Sequence, residues 1–276
     1  MKISLESSAS AATILGTALS ALALVQSRAW LVLTSLVLVG VSLIALVYAR
    51  RDRLAIDAAS VVIEGHSIDC LNIANLRRRV NRTFVIQEAE HTVRIEGGDL
   101  KITWKYSGYC RADRESAMEF SVDSDINTPF ETMNCVAYDL GRDPGMTQKI
   151  RPLLVGAKGI SKKISVPFLE PLKAEQPFSL LLSFTLPRCI TPGFGYYTST
   201  LSFAQQKIRR CVVRLVFIGE NPEWVRVYEC TSPGKTMLLK SLAASGPPEA
   251  SWEYIDSVED RPGQSTKIYA FWRHAV

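Results

Sequence analysis

The stretch VRIEGGDLKITWKY, residues 93–106, decides the fold of the larger part of this chain. Val93, Ile95, Leu100, Ile102, Trp104 and Tyr106 alternate with polar residues on either side of Gly97, Gly98 and Asp99. Alternation marks a strand with one buried face, and a glycine pair between two such runs marks a tight hairpin. The pattern continues through strand candidates at 117–122, 135–140, 149–155, 162–168, 178–186, 196–203, 209–218, 224–229, 236–242, 252–256 and 267–272. Turn signals lie between most of them, among them Gly193 after Pro192, Gly234 after Pro233 and Gly263 after Pro262. Many short strands with no long helical period predict a mainly-β domain, a β-sandwich or a partly open barrel. A boundary at 144–159 would divide it in two; a single elaborated sandwich accounts for the pattern equally well. Just before the β-rich part, Ile68, Leu71, Leu76 and Val80 share one helical face, so a helix is expected there.

The N-terminus has a different character. Two apolar runs, 11–25 and 30–48, carry no charge and are separated by four residues. A helix needs about 20 mostly apolar residues to cross a bilayer core. The pair therefore reads as a two-helix transmembrane hairpin over 1–53, with a β-rich domain over 54–276. Lys2, Arg50, Arg51 and Arg53 flank the hairpin while the connection carries only Arg28, which places both termini in the cytoplasm. The rival reading is a cleaved signal peptide over the first run. Ala12, Gly16 and Ser20 form a small-residue row at steps of four, suited to close helix packing within the hairpin or between protomers.

Composition narrows the function. A net charge of +5 over 276 residues suits an anionic membrane surface and does not suggest a binder of nucleic-acid duplexes. The six cysteines include no CxxC pair, so free buried thiols are expected rather than a metal site. No phosphate-binding loop, nucleophile elbow or zinc-protease helix is present. The three histidines are scattered, and His91 is expected to face solvent. Asp123 and Asp125, and Asp139 and Asp143, are read mainly as turn formers, with cation binding or acid–base chemistry as the sharper alternative. No catalytic residue, metal or cofactor is assigned.

Two features are candidates for recognition. Arg77, Arg78, Arg79 and Arg82 form the densest basic run, able to meet lipid headgroups or a phosphate-bearing ligand. Residues 191–197 are read as a loop in which Phe194, Tyr196 and Tyr197 offer flat faces for stacking. Folding of these aromatics back onto a sheet edge is the plainer alternative.

The hairpin, its Arg50, Arg51, Asp52 and Arg53 border and the β-rich remainder together resemble a class of bacterial anti-phage effectors. In that class a two-helix membrane hairpin precedes a cytosolic β-rich domain that senses a cyclic nucleotide. The resemblance is one of architecture and carries no ligand residue over. It implies an inner-membrane location, a cyclic nucleotide or other phosphate-bearing ligand, and homo-oligomers that perturb the membrane. The expectation is thus a non-enzymatic membrane-anchored sensor or effector. An inert tether docking a partner protein and an envelope-associated hydrolase are the alternatives.

Overall fold

The computed structural model describes residues 37–42, 60–69, 80–141, 147–158, 160–232, 235–244 and 250–273. The chain divides into two compact units, Met1–Ala59 and Ser60–Val276. In the first, residues 37–42 are helical. The rest of the expected hairpin, including Ala12, Gly16 and Ser20, lies outside the described residues. Among the described residues no helix is long and apolar enough to cross a membrane.

The second unit is mainly β. Its strands are β1 (Ser60–Ile63), β2 (His66–Asp69), β3 (Phe84–Glu96), β4 (Asp99–Cys110), β5 (Arg114–Asp123), β6 (Val136–Asp139) and β7 (Gln148–Ile150). There follow β8 (Leu153–Lys158), β9 (Ser161–Lys173), β10 (Pro177–Leu186), β11 (Gly193–Ile218), β12 (Pro222–Ser232), β13 (Lys235–Ala243) and β14 (Ser251–Arg273). A nine-stranded sheet runs β13-β12-β14-β11-β3-β4-β10-β6-β7, a three-stranded sheet runs β5-β9-β8, and β1 pairs with β2 alone. The large sheet is mixed, because β11 runs parallel to β3 and antiparallel to β14.

The hairpin expected at 93–106 is β3–β4, with Glu96 opposite Asp99 across a two-residue turn. Gly97 and Gly98 both take positive φ, 57° and 95°, as the hairpin turn that matches strand twist requires. A Cβ on Gly98 would also lie 2.7 Å from the carbonyl oxygen of Ile190, so this position needs glycine twice over. The expected helix before the β-rich part is corrected at its start: Ile68 is fully buried on strand β2. Residues 70–79 lie outside the described residues. The run expected at 149–155 is two strands, β7 and β8, with Pro152 between them. Pairings of β5 with β9 and of β4 with β10 run across the candidate boundary at 144–159.

The sequence marks four strands where the structure has two. β11 and β14 are 26 and 23 residues long and pair from Gly193 opposite Arg273 to Ile218 opposite Ser251. Their ladder breaks register between Ser202 and Lys207. The break is a corner. Asp256 and Lys267 lie on one strand, where eleven residues of extended chain span about 36 Å, yet Lys267 Nζ is 2.9 Å from Asp256 Oδ2. Phe217 and Phe271, from opposite halves of the ladder, pack edge to face at 5.1 Å. The ladder therefore folds over on itself, as strands do where they pass between packed layers. One layer holds the C-terminal half of β11 with β3, β4 and β10; the other holds the N-terminal half of β11 with the C-terminal half of β14, β12 and β13.

Local chemistry makes this corner. A Cβ on Gly263 would lie 2.1 Å from the Gln205 carbonyl oxygen, so glycine permits the close approach. Gln205 accepts a hydrogen bond at 3.0 Å from the Ile86 N–H and donates to the Ile86 carbonyl, stitching the corner to β3. Arg261, 1% exposed, crosses the bend. Its Nη2 donates to the Ser199 carbonyl at 2.7 Å, its Nη1 to Cys211 Sγ at 3.2 Å and its Nε to Ser265 Oγ at 2.9 Å. The three-stranded sheet packs on the same layer, with Phe120 stacked against Trp104 at 6.0 Å and Phe168 tilted against Phe84 at 5.8 Å. The nine-stranded and three-stranded sheets share one apolar core, and β1 and β2 pack in a second, smaller cluster in which Val61, Ile63 and Ile68 meet Tyr228, Ile268 and Ala270.

Candidate ligand-binding cleft

Among the described residues, the covering layer over β3, β4 and β10 has a gap. On one side of it lies β5, which among the described residues pairs with β9 alone. On the other lies the N-terminal half of β11, which pairs with β14 but leaves β3 to the C-terminal half. A cavity of about 1150 Å³ occupies this gap. Consecutive residues border it on both sides, Met118–Asp123 of β5 with Ser124 and Asp125 after it, and Phe194–Thr198 of β11. Neighbours in a strand point to opposite faces, so both can border one space only when it runs along the strand's edge.

The floor is built by the alternation read at 93–106. Leu100, Ile102, Trp104 and Tyr106 on β4, with Phe184 and Leu186 on β10, turn their side chains into the cavity. Three of the expected recognition residues come together here with Arg82: Phe194, Tyr196 and Tyr197 all line the cleft. They do not sit on a loop as expected. β11 begins at Gly193, so they are strand residues and their alternation splits them between two faces. Tyr197 is buried over the floor. Phe194 faces the β1–β2 hairpin and stacks on His66 at 4.2 Å. The Tyr196 hydroxyl donates to Asp125 Oδ1 at 2.6 Å and joins β11 to the end of β5. Arg77, Arg78 and Arg79 lie outside the described residues.

His91 corrects a second expectation. It is 2% exposed and forms part of the cleft floor. Its parity explains the burial, because residue 91 shares a face with Val93 and Ile95. A chain of hydrogen bonds fixes it. Trp104 Nε1 donates to the Tyr197 hydroxyl at 2.9 Å. Indole N–H is a donor only, so the Tyr197 hydrogen is left for His91 Nδ1 at 2.9 Å. His91 Nε2 then carries the hydrogen and donates to the Tyr106 hydroxyl at 2.7 Å. Burial, reinforced by the Arg261 charge, lowers the His91 pKa from 6.5 to about 3. Burial likewise raises the Tyr106 and Tyr197 hydroxyls well above their usual value.

Charge on the lining is mixed. Glu119, Asp123 and Asp125 stand against Arg82 and Lys163 among the described lining residues. Lys163 is already paired to Glu119 at 2.5 Å. Asp139, at the end of β6, accepts from the Gly141 N–H at 2.9 Å, a local turn bond away from the cleft. Among the described residues no three His, Cys, Asp or Glu side chains converge as metal ligands. Trp104 and Tyr106 were legible as members of a strand face; nothing in the sequence showed that the covering layer leaves them, with His91, open to a cavity.

No protein-family profile matches the chain, and no curated protein matches its sequence. Among solved structures, the M1 zinc metallopeptidase of Deinococcus radiodurans resembles 68% of this chain at 13% identity and a TM-score of 0.33. A two-domain M1 zinc metallopeptidase variant bound to L-arginine gives 68%, 13% and 0.35. The chain spans 42% and 43% of the length of those two proteins.

Proposed function

We propose that this chain is a membrane-tethered binding module, without catalysis of its own, whose cleft between β5 and β11 takes the ligand. The cavity of about 1150 Å³ over an aromatic floor carries this reading. Its volume exceeds the roughly 300–1,000 Å³ usual for small-molecule sites, and its mix of apolar walls with a few convergent polar groups is that of a binding site. Electrostatics favours binding over catalysis. General acid–base chemistry works best with a pKa near the operating pH, whereas His91 is held near 3 and the Tyr106 and Tyr197 hydroxyls are pushed far up. The lining charge favours an apolar or amphipathic ligand over a polyanion, since among the described lining residues Glu119, Asp123 and Asp125 outnumber Arg82 and Lys163, and Lys163 is paired to Glu119.

The tether rests on the uncharged runs at 11–25 and 30–48. Ligand-driven assembly at the membrane, as in the effectors the chain resembles, is the wider form of the proposal. The test is a thermal-shift screen of the full chain in lipid nanodiscs. The panel holds cyclic dinucleotides, cyclic mononucleotides, long-chain fatty acids, lysophospholipids and short peptides. A ligand that raises the melting temperature of wild type, and does so less in Tyr197→Phe, supports the cleft as the site. Equal shifts in both proteins, or no shift across the panel, would count against it.

A further inference from the structure

We infer that the cleft is a strand-addition site: an extended segment of a partner polypeptide completes the covering layer by pairing with the open edge of β11. This rests on the reading of the cleft as the binding site and names its occupant. The edge already accepts one residue of chain. Asn81 bridges to Phe203 in parallel, its N–H donating to the Ser202 carbonyl at 2.7 Å and its carbonyl accepting from the Ala204 N–H at 2.9 Å. The N–H and C=O of one strand residue point to the same side. Ser202 therefore aims its backbone into the gap, and so do Thr200 and Thr198, two and four residues earlier. The β11–β14 register is unbroken from Ser202 to Gly193, which preserves that parity. Backbone polar groups bordering an apolar floor need partners, and a backbone supplies donors and acceptors at that spacing.

The opposite wall is also a strand edge, Met118–Val122 of β5. The gap thus has two edges and an apolar floor, the surroundings a sheet offers to a missing central strand. A long open edge normally carries charge, proline or a bulge that discourages pairing. Residues 198–202 of β11, TSTLS, carry none of these. An added segment would turn alternate side chains down onto Leu100, Ile102 and Phe184 and the others outward. Asp123 on the rim, with no charged partner on the cleft side among the described residues, favours a basic residue in the segment. The occupant is therefore an extended stretch of alternating apolar and polar residues with at least one Lys or Arg.

The test uses the full chain in nanodiscs and a displayed library of random twelve-residue peptides. Wild type is selected in parallel with Thr198→Pro. Proline at 198 removes the N–H that faces the gap and leaves the ladder to β14 intact. Melting temperature and circular dichroism establish that the variant folds. Peptides enriched on wild type should alternate in polarity, bind Thr198→Pro at least about tenfold more weakly, and lose binding to wild type when alternate peptide nitrogens are methylated. N-methylation acts on the peptide alone, so it decides the matter even if the variant is unstable. No enrichment, or enriched peptides indifferent to N-methylation, would overturn strand addition. A small molecule that shifts wild type and Thr198→Pro alike, with no peptide enriched, would leave the cleft as the site and refute only its occupant. Failure of both would refute both.

Discussion

Asp256→Asn tests the corner that positions the cleft. Asp256 is 1% exposed and accepts from Lys240 at 2.6 Å, Lys267 at 2.9 Å and the Tyr269 hydroxyl at 3.0 Å. Lys240 is half exposed and keeps its water, but the Lys267 side chain is only 8% exposed. The asparagine therefore leaves a buried ammonium without its anion. Removing one partner of a buried pair costs about 3–5 kcal/mol. A domain of this size loses about 2–4 °C in melting temperature per kcal/mol, so the expected drop is about 6–20 °C. The double variant Asp256→Asn with Lys267→Met removes the stranded charge and should recover part of that loss.

The pH dependence gives an independent check. Burial alone would raise the Asp256 pKa, but the Lys240, Lys267 and Tyr269 hydrogen bonds outweigh it and hold it below the ordinary 3.8. A depressed carboxylate contributes stability that is complete above its unfolded pKa and is lost as pH falls through the folded one. The gap between wild type and variant should be constant above about pH 5 and close below about pH 4. Near-ultraviolet circular dichroism melts of the full chain in detergent, from pH 7 to pH 3, measure it. A variant within 2 °C of wild type at pH 7, or a gap unchanged at pH 3, would refute the argument that this ion cluster holds the corner, with 2 °C being about 1 kcal/mol at this size.

Other consequences follow from the floor and the bend. His91 should stay neutral with its hydrogen on Nε2 down to about pH 4, which nitrogen shifts in a histidine-labelled sample report directly. Because its pKa is lowered to about 3, the stability it contributes is complete above its unfolded 6.5 and falls as pH drops below that, by about 1.4 kcal/mol per pH unit. Protonation of His91 at pH 6 would contradict the burial argument. Tyr197→Phe removes the acceptor of Trp104 and the donor to His91, and denaturant melts should show a loss of about 1–3 kcal/mol. Gly263→Ala places a methyl 2.1 Å from the Gln205 carbonyl oxygen, so it should cost more than the roughly 1 kcal/mol of a typical substitution. Faster amide exchange at Gln205 and Ile86 should accompany it, and unchanged exchange there would show that the close approach is not needed.

The mainly-β class was legible because period-two alternation survives in most strands, and the β3–β4 hairpin because two glycines fit its turn. The corner was not. Pro262 followed by Gly263 reads as a chain reversal, but buried Arg261 ties Ser199, Cys211 and Ser265 together and makes it a bend within one strand. A lone arginine beside a proline gives no hint of that network. Gly193 at the start of β11 misled in the same way, so Phe194, Tyr196 and Tyr197 were read as loop residues. His91 was recoverable, since its parity with Val93 and Ile95 puts it inside; polarity alone suggested otherwise. The cleft depends on how far apart two distant strands run, β5 near residue 118 and β11 near residue 198, and local pattern holds no information on that separation.

Cys189 offers the most direct measurement on the cleft itself. Its thiol lines the cavity and is partly buried, whereas Cys135 is also partly buried but lies elsewhere. Site-resolved alkylation of the full chain, with and without a ligand or peptide from the screens above, reads both residues in one digest. Occupancy of the cleft predicts slower modification of Cys189 at an unchanged rate for Cys135. Equal rates at Cys189 with and without a saturating binder would contradict the assignment of this gap as the binding site.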